Sequence, residues 1–129
     1  MLIVVILQKT VPDLGERMLA AFEEMFEKGY EKAVIIGSDC AELQGEHIAT
    51  AFEQLDKHDF VIGPANDGGY YLLGMKKLAT CLFESKKWST NTVFEDTIKD
   101  IQRLKKTVFV LPPLNDLDRH EDLLAVDWL

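Results

Sequence analysis

Cysteine is scarce. The 129 residues hold two, Cys40 and Cys81, far apart and without the spacing of a disulfide framework or a zinc site. Both are expected to be reduced, as in a cytoplasmic protein. Positive charge is also short: 14 Lys and Arg stand against 22 Asp and Glu, for a net charge of −8. Nucleic acid is normally held by a basic face. The cationic groups here, Lys76-Lys77, Lys86-Lys87 and Arg103-Leu104-Lys105-Lys106, are scattered and read as solvated helix ends. No nucleic-acid partner is expected. The apolar run Leu2–Leu7 is too short to span a bilayer and lacks the basic start and cleavage site of a signal peptide, so no membrane partner is expected either. No Gly-x-Gly-x-x-Gly follows a strand, which excludes a dinucleotide-binding domain. Acids are missing after the first strand, where Gln8-Lys9-Thr10 stands, which excludes a receiver-like phosphoacceptor.

What is present alternates strand and helix. Leu2-Ile3-Val4-Val5-Ile6-Leu7 has the continuous apolar character of a strand covered on both faces. Asp13 then caps a helix, with Glu16 three residues on. Leu14, Met18, Phe22, Met25 and Phe26 recur at helical spacing, and Gly29 ends the helix. Ala33-Val34-Ile35-Ile36-Gly37 is a second buried strand, followed by a helix with Ile48, Ala51, Phe52 and Leu55 on one face. Asp59-Phe60-Val61-Ile62-Gly63 and Tyr70-Tyr71-Leu72-Leu73-Gly74 are close enough in sequence to pair as an antiparallel hairpin. A short helix over 78–83 and a loop over 86–91 lead to a longer helix marked by Val93, Thr97, Ile98, Ile101 and Leu104. Thr107-Val108-Phe109-Val110-Leu111 is the last strand, before a Pro-Pro loop and a short helical tail. The expected fold is one α/β domain over residues 1–129: a three-layer α/β/α arrangement around a mostly parallel mixed sheet.

In such sheets ligands bind beyond the carboxyl ends of the strands. Gly37-Ser38-Asp39-Cys40 follows a buried strand. Its carboxylate suits a hard cation that in turn holds phosphate oxygens; the alternative is that Ser38 or Asp39 caps the next helix. Cys40 reads as a small buried residue. Gly63-Pro64-Ala65-Asn66-Asp67-Gly68-Gly69-Tyr70 has paired glycines that let the backbone approach a ligand, with Asn66 or Asp67 for a sugar hydroxyl or metal-bound water. The alternative, and the plainer reading, is a tight connection between strands. Asn115-Asp116-Leu117-Asp118-Arg119-His120-Glu121-Asp122 either completes a metal site with Asp39 or is the acidic first turn of a helix. Arg17 suits a phosphate, or is simply solvated. Trp88 stacks on a base or sugar, or packs in the core. His47 and His58 read as solvated and are assigned no role.

Five segments in fixed order carry a resemblance: Asp-Leu-Gly-Glu-Arg-Met (13–18), Gly-Ser-Asp-Cys (37–40), Gly-Pro-Ala-Asn-Asp-Gly-Gly-Tyr-Tyr-Leu-Leu-Gly (63–74), Trp-Ser-Thr (88–90) and Asp-Leu-Asp-Arg-His-Glu-Asp-Leu (116–123). From Gln8 onward the sequence resembles the uncharacterised family DUF2064, whose fold is like that of glycosyltransferase-A and nucleotide-diphosphosugar transferases. The resemblance implies metal-dependent nucleotidyl or glycosyl transfer. Its participants would be a nucleotide or nucleotide sugar and an unknown small-molecule acceptor. Asp39 and Asp118 would hold Mg²⁺ or Mn²⁺, with Asp39 and Asp67 acting in catalysis. Arg17, Ser38, Asp67, Gly68, Gly69, Tyr70 and Trp88 would contact substrate.

The sequence departs from the family at three places. Ala41 replaces a Pro, and Arg119-His120 replaces Thr-Pro. The family's opening strand and Gly-rich basic loop are not in this sequence, so the expected fold is shortened at its amino end. Leu2–Leu7 then has two placements: the family's third strand, or a stand-in that pairs beside Ala33–Gly37. The first leaves exposed sheet edges and implies a homodimer. The lost loop gives a second functional reading, an inactive remnant that binds a small molecule or a protein.

Overall fold

A computed structural model describes residues 2–7, 14–37, 42–84 and 91–114, the first of these segments as backbone. The elements run β1 (Leu2–Leu7), α1 (Leu14–Glu27), β2 (Lys32–Gly37), α2 (Gly45–Gln54), β3 (Phe60–Pro64), β4 (Tyr70–Met75), a 3₁₀ turn (Thr80–Phe83), α3 (Val93–Arg103) and β5 (Val108–Val110). They form a mixed sheet of order β1-β2-β4-β3-β5. β1 pairs parallel with β2, and β3 with β5, while β4 runs antiparallel to both of its neighbours.

The expected mostly parallel sheet with one reversed strand is therefore present, and β4 lies at its centre. β3 and β4 do pair as neighbours, with Gly63 opposite Leu72. Leu2–Leu7 takes the second of its two placements, with Val4 opposite Val34 and Leu7 opposite Gly37. Among the described residues it is an outer strand.

The helices arise from the spacings noted above. Met18, Phe22 and Met25 are buried on one side of α1 while Glu16 and Arg17 stay exposed. Gly29 ends the helix at φ +92°, which a side chain would resist. Its amide donates to Phe26 O and that of Tyr30 to Met25 O, the paired bonds that satisfy a helix's last carbonyls. In α3, Val93, Thr97 and Ile101 line the buried side, and the Thr97 hydroxyl donates to Val93 O at 2.8 Å.

Strand residues divide the core by alternation, except that Tyr71 and Leu72 share a face beside the register shift between Gly63 and Pro64. Ala33, Ile35, Phe60, Ile62, Leu73 and Met75 face α1, α3 and the 3₁₀ turn. Val34, Ile36, Val61, Tyr71 and Leu72 face α2. This is the three-layer arrangement expected. The segment over 78–83 forms a shorter element than its pattern suggests. Only Thr80–Phe83 coils, as a 3₁₀ turn, because Leu82 and Phe83 are buried whereas Leu78 is exposed. β5 is likewise limited to Val108–Val110. The 115–129 tail and residues 85–90 of the loop lie outside the described residues.

The amino ends of the strands are tied by polar contacts. Lys32 Nζ donates to Phe52 O and pairs with Asp56. The lysine's hydrogen bond and charge lower the Asp56 pKa. Asp59 and Thr107 clamp the starts of β3 and β5. The Asp59 amide donates to Thr107 Oγ1, and the Thr107 amide and hydroxyl donate to Asp59 Oδ2. These bonds, that of the amide first, hold the Asp59 carboxyl below its ordinary pKa. This end of the sheet is a fastening, and the loops expected to carry chemistry leave from the other.

Candidate functional site at the carboxyl edge of the sheet

Ile36, Leu72 and Gly63 stand side by side across β2, β4 and β3. Ile62 pairs with Val110, and the Leu111 amide donates to Ile62 O. β2, β3 and β5 therefore end at nearly one level. With β4 between them, β2 and β3 lie about 10 Å apart, two strand spacings. The segment bearing Ser38 and Asp39 leaves from Gly37, and the turn bearing Asp67 leaves from Pro64. The Asp118 segment leaves through Leu114, which bridges Ala65 in parallel. Ser38, Asp39, Trp88 and Asp118 themselves lie outside the described residues.

The 65–69 turn is held by its own backbone. The Ala65 amide donates to Gly69 O at 2.9 Å, and the Gly68 amide to Ala65 O at 3.1 Å. Asp67 Oδ1 accepts the Gly69 amide at 2.9 Å. Asn66 and Asp67 are exposed. The turn is also tied outward. The Asn66 amide donates to Leu114 O, the Leu114 amide to Pro64 O, and the Phe94 amide at the start of α3 to Gly68 O. The reading of this segment as a tight connection between strands describes it. It connects two strands tightly, and it presents an acidic residue at the edge of the sheet.

Tyr70 and Tyr71 diverge onto opposite faces. The Tyr70 hydroxyl donates to Met18 Sδ at 3.7 Å, so the ring leans against α1. Burial raises the phenol pKa, which keeps it a proton donor. Arg17, next to Met18, is exposed at this end of α1. Tyr71 is buried under α2, and its hydroxyl donates to Pro112 O at 2.9 Å. Its ring lies across Gly63, where a Cβ would stand 2.3 Å from Tyr71 Cζ.

Two positions were not singled out by the sequence. Gly63 makes room for Tyr71; the available signal was a glycine ending a strand beside a Tyr-rich one. His47 is engaged rather than idle. Its Nδ1 accepts the Gln44 amide at 2.9 Å, closing the start of α2, and its ring meets the edge of Tyr71 at 6.2 Å. His58, just past α2, lies against Phe109 with ring centroids 5.6 Å apart. Both histidines are thus parts of the packing on the α2 face.

Among the described residues, no group of three or more His, Cys, Asp or Glu is placed to hold a metal ion. The candidate donors Asp39 and Asp118 are carboxylates, the hard oxygen ligands that suit Mg²⁺ or Mn²⁺. Their attachment points, Gly37 and Leu114, leave the same edge of the sheet. Among the described residues, no helix is long and apolar enough to cross a membrane.

The family model DUF2064, an uncharacterised protein conserved in bacteria, matches residues 3–90. No curated protein matches. The fold is similar to the crystal structure of a putative nucleotide-diphospho-sugar transferase from Desulfovibrio desulfuricans G20. The TM-score is 0.80 with 37% sequence identity, and the match covers 85% of this chain and 48% of that one. The chain thus spans about half the length of that protein.

Proposed function

Because the chain belongs to the DUF2064 family, we propose that its carboxyl edge is the donor site of a nucleotide-diphosphosugar transferase-like protein that carries out nucleotidyl or glycosyl transfer. The observation that carries this reading is the common level at which β2, β3 and β5 end. The segments that bear Asp39, Asp67 and Asp118 continue the sequence from those strand ends, in a sheet whose fold is shared with the Desulfovibrio protein.

Phosphates brought to a chain of net charge −8 need their charge offset. A bound Mg²⁺ or Mn²⁺, held by Asp39 and Asp118, would supply that offset and polarise the phosphates. Arg17 would add a cation from α1. Ser38 would donate a hydrogen bond to a phosphate oxygen. The 65–69 turn would orient the sugar or acceptor hydroxyl, with Asp67 accepting its proton and the backbone of Gly68 and Gly69 allowing close approach. Tyr70 would brace the turn from below, and Trp88 would stack on the base or sugar. Catalysis of this kind is mainly positioning and electrostatic stabilisation. The protein would work in the cytoplasm.

The second reading is a remnant that binds a small molecule or protein without turnover. Thermal-shift titration with ribonucleoside triphosphates and UDP- and GDP-linked sugars, with and without Mn²⁺, separates the two. The transferase reading predicts that one of these ligands raises the melting temperature only with Mn²⁺. If no nucleotide shifts a well-folded sample, the transferase reading is overturned and the remnant is the better account.

A further inference from the structure

Gly29 and Gly68 share a backbone conformation and differ in what surrounds them. Their φ angles are +92° and +95°. A Cβ on Gly29 would meet nothing within 4 Å. On Gly68 it would stand 2.2 Å from Asn91 O and 2.5 Å from Asn91 C and Cα. The backbone of the β3–β4 turn is therefore pressed against the backbone that leads into α3. A flexible side chain could yield, but main chain at residue 91 cannot do so without moving the start of the helix.

The two polar groups of Gly68 are divided between the two segments. Its amide donates to Ala65 O inside the turn, and its carbonyl accepts the Phe94 amide in the first turn of α3. Asp67 and Asn66 precede it in the turn. Asn91 directly follows residues 85–90, which contain Trp88.

We propose that Gly68 is a positioning residue that makes the β3–β4 turn and the chain leading into α3 a single unit. A displacement of Asp67 is then felt at Asn91 and Phe94. The coupling itself stands apart from the transferase reading. Only its consequence, that the acid turn and the start of α3 respond together to a donor, rests on that reading.

The test is amide hydrogen exchange on the free protein, so it does not depend on whether a nucleotide binds. Gly68→Ala is compared with Gly29→Ala, which carries the same backbone strain without the contact. The proposal predicts that exchange at Phe94 and Ala65 quickens by about tenfold or more in Gly68→Ala relative to Gly29→Ala, with the amides of β2 and β4 unchanged. A role confined to global stability would speed all of these together. Asp67→Ala provides a second arm should Gly68→Ala not fold. Loss of the Asp67 bond to the Gly69 amide is expected to quicken exchange at Phe94 as well. Phe94 exchange that stays at the Gly29→Ala rate, or in the second arm at the wild-type rate, would overturn the proposal.

Discussion

Gly63→Ala is expected to destabilise the protein by about 3 kcal/mol, the upper part of the range for overpacking a core. The added Cβ would lie 2.3 Å from Tyr71 Cζ and 2.7 Å from both Cε atoms, far inside the contact distance of two carbons. The ring has no room to withdraw. It is 1% exposed, its hydroxyl is bonded to Pro112 O, and His47 meets its edge. The backbone is equally constrained, since Gly63 is in register with Leu72. Relief would require shifting β3 or breaking the tyrosine's hydrogen bond, and either change reaches the turn that begins two residues on. The comparator is Gly45→Ala at the start of α2, where a Cβ meets nothing within 4 Å. Urea denaturation should show a large loss for the first variant and little change for the second. A midpoint for Gly63→Ala that matches Gly45→Ala would contradict the packing described.

Asp39→Ala is expected to weaken Mn²⁺-dependent nucleotide binding by about 100-fold or more, because changes in the outer partners of a metal site alone cost tenfold to a hundredfold. Asp39 follows β2 by two residues and is the acid nearest in sequence to the carboxyl end of that strand. Removing a carboxylate ligand leaves the metal less tightly held and the phosphates less well neutralised. Lower net negative charge would by itself help an anion to bind, so a loss of affinity has the opposite sign to the general charge effect. Asp56→Ala makes the same charge change at the fastened end of the sheet, beside Lys32. Isothermal titration should show the loss for Asp39→Ala and wild-type affinity for Asp56→Ala. Equal affinity for Asp39→Ala and wild type would remove Asp39 from the metal site.

The strands and helices were legible because burial on two faces leaves apolar runs and burial on one leaves helical spacing. Lys32–Gly37 and Val93–Arg103 show this directly. The hairpin of β3 and β4 was legible from the short turn between them. That β4 also pairs with β2 was not. A short turn says which strand comes next, while the partner on the far edge is chosen by long-range packing against α1 and α2.

The candidate site was legible as chemistry and not as geometry. Asp67, Gly68 and Gly69 stand out by type, and the structure places them in one turn at the carboxyl edge. The bond from Phe94 to Gly68 left no trace in the sequence, because it joins main-chain atoms that every residue but proline can supply. His47 was assigned no role because its bonding partner is a backbone amide three residues earlier.

The central claim is that a nucleotide sits at the carboxyl edge of the sheet. Amide hydrogen exchange with Mn²⁺ and the nucleotide giving the largest thermal shift, compared with the free protein, tests it most directly. The account predicts slowed exchange in the 65–69 turn and in the segment after Gly37, with the Asp59–Thr107 end unchanged. Protection centred on Lys32, Asp56 and Asp59 would contradict it, since that would put the ligand at the opposite end of the sheet.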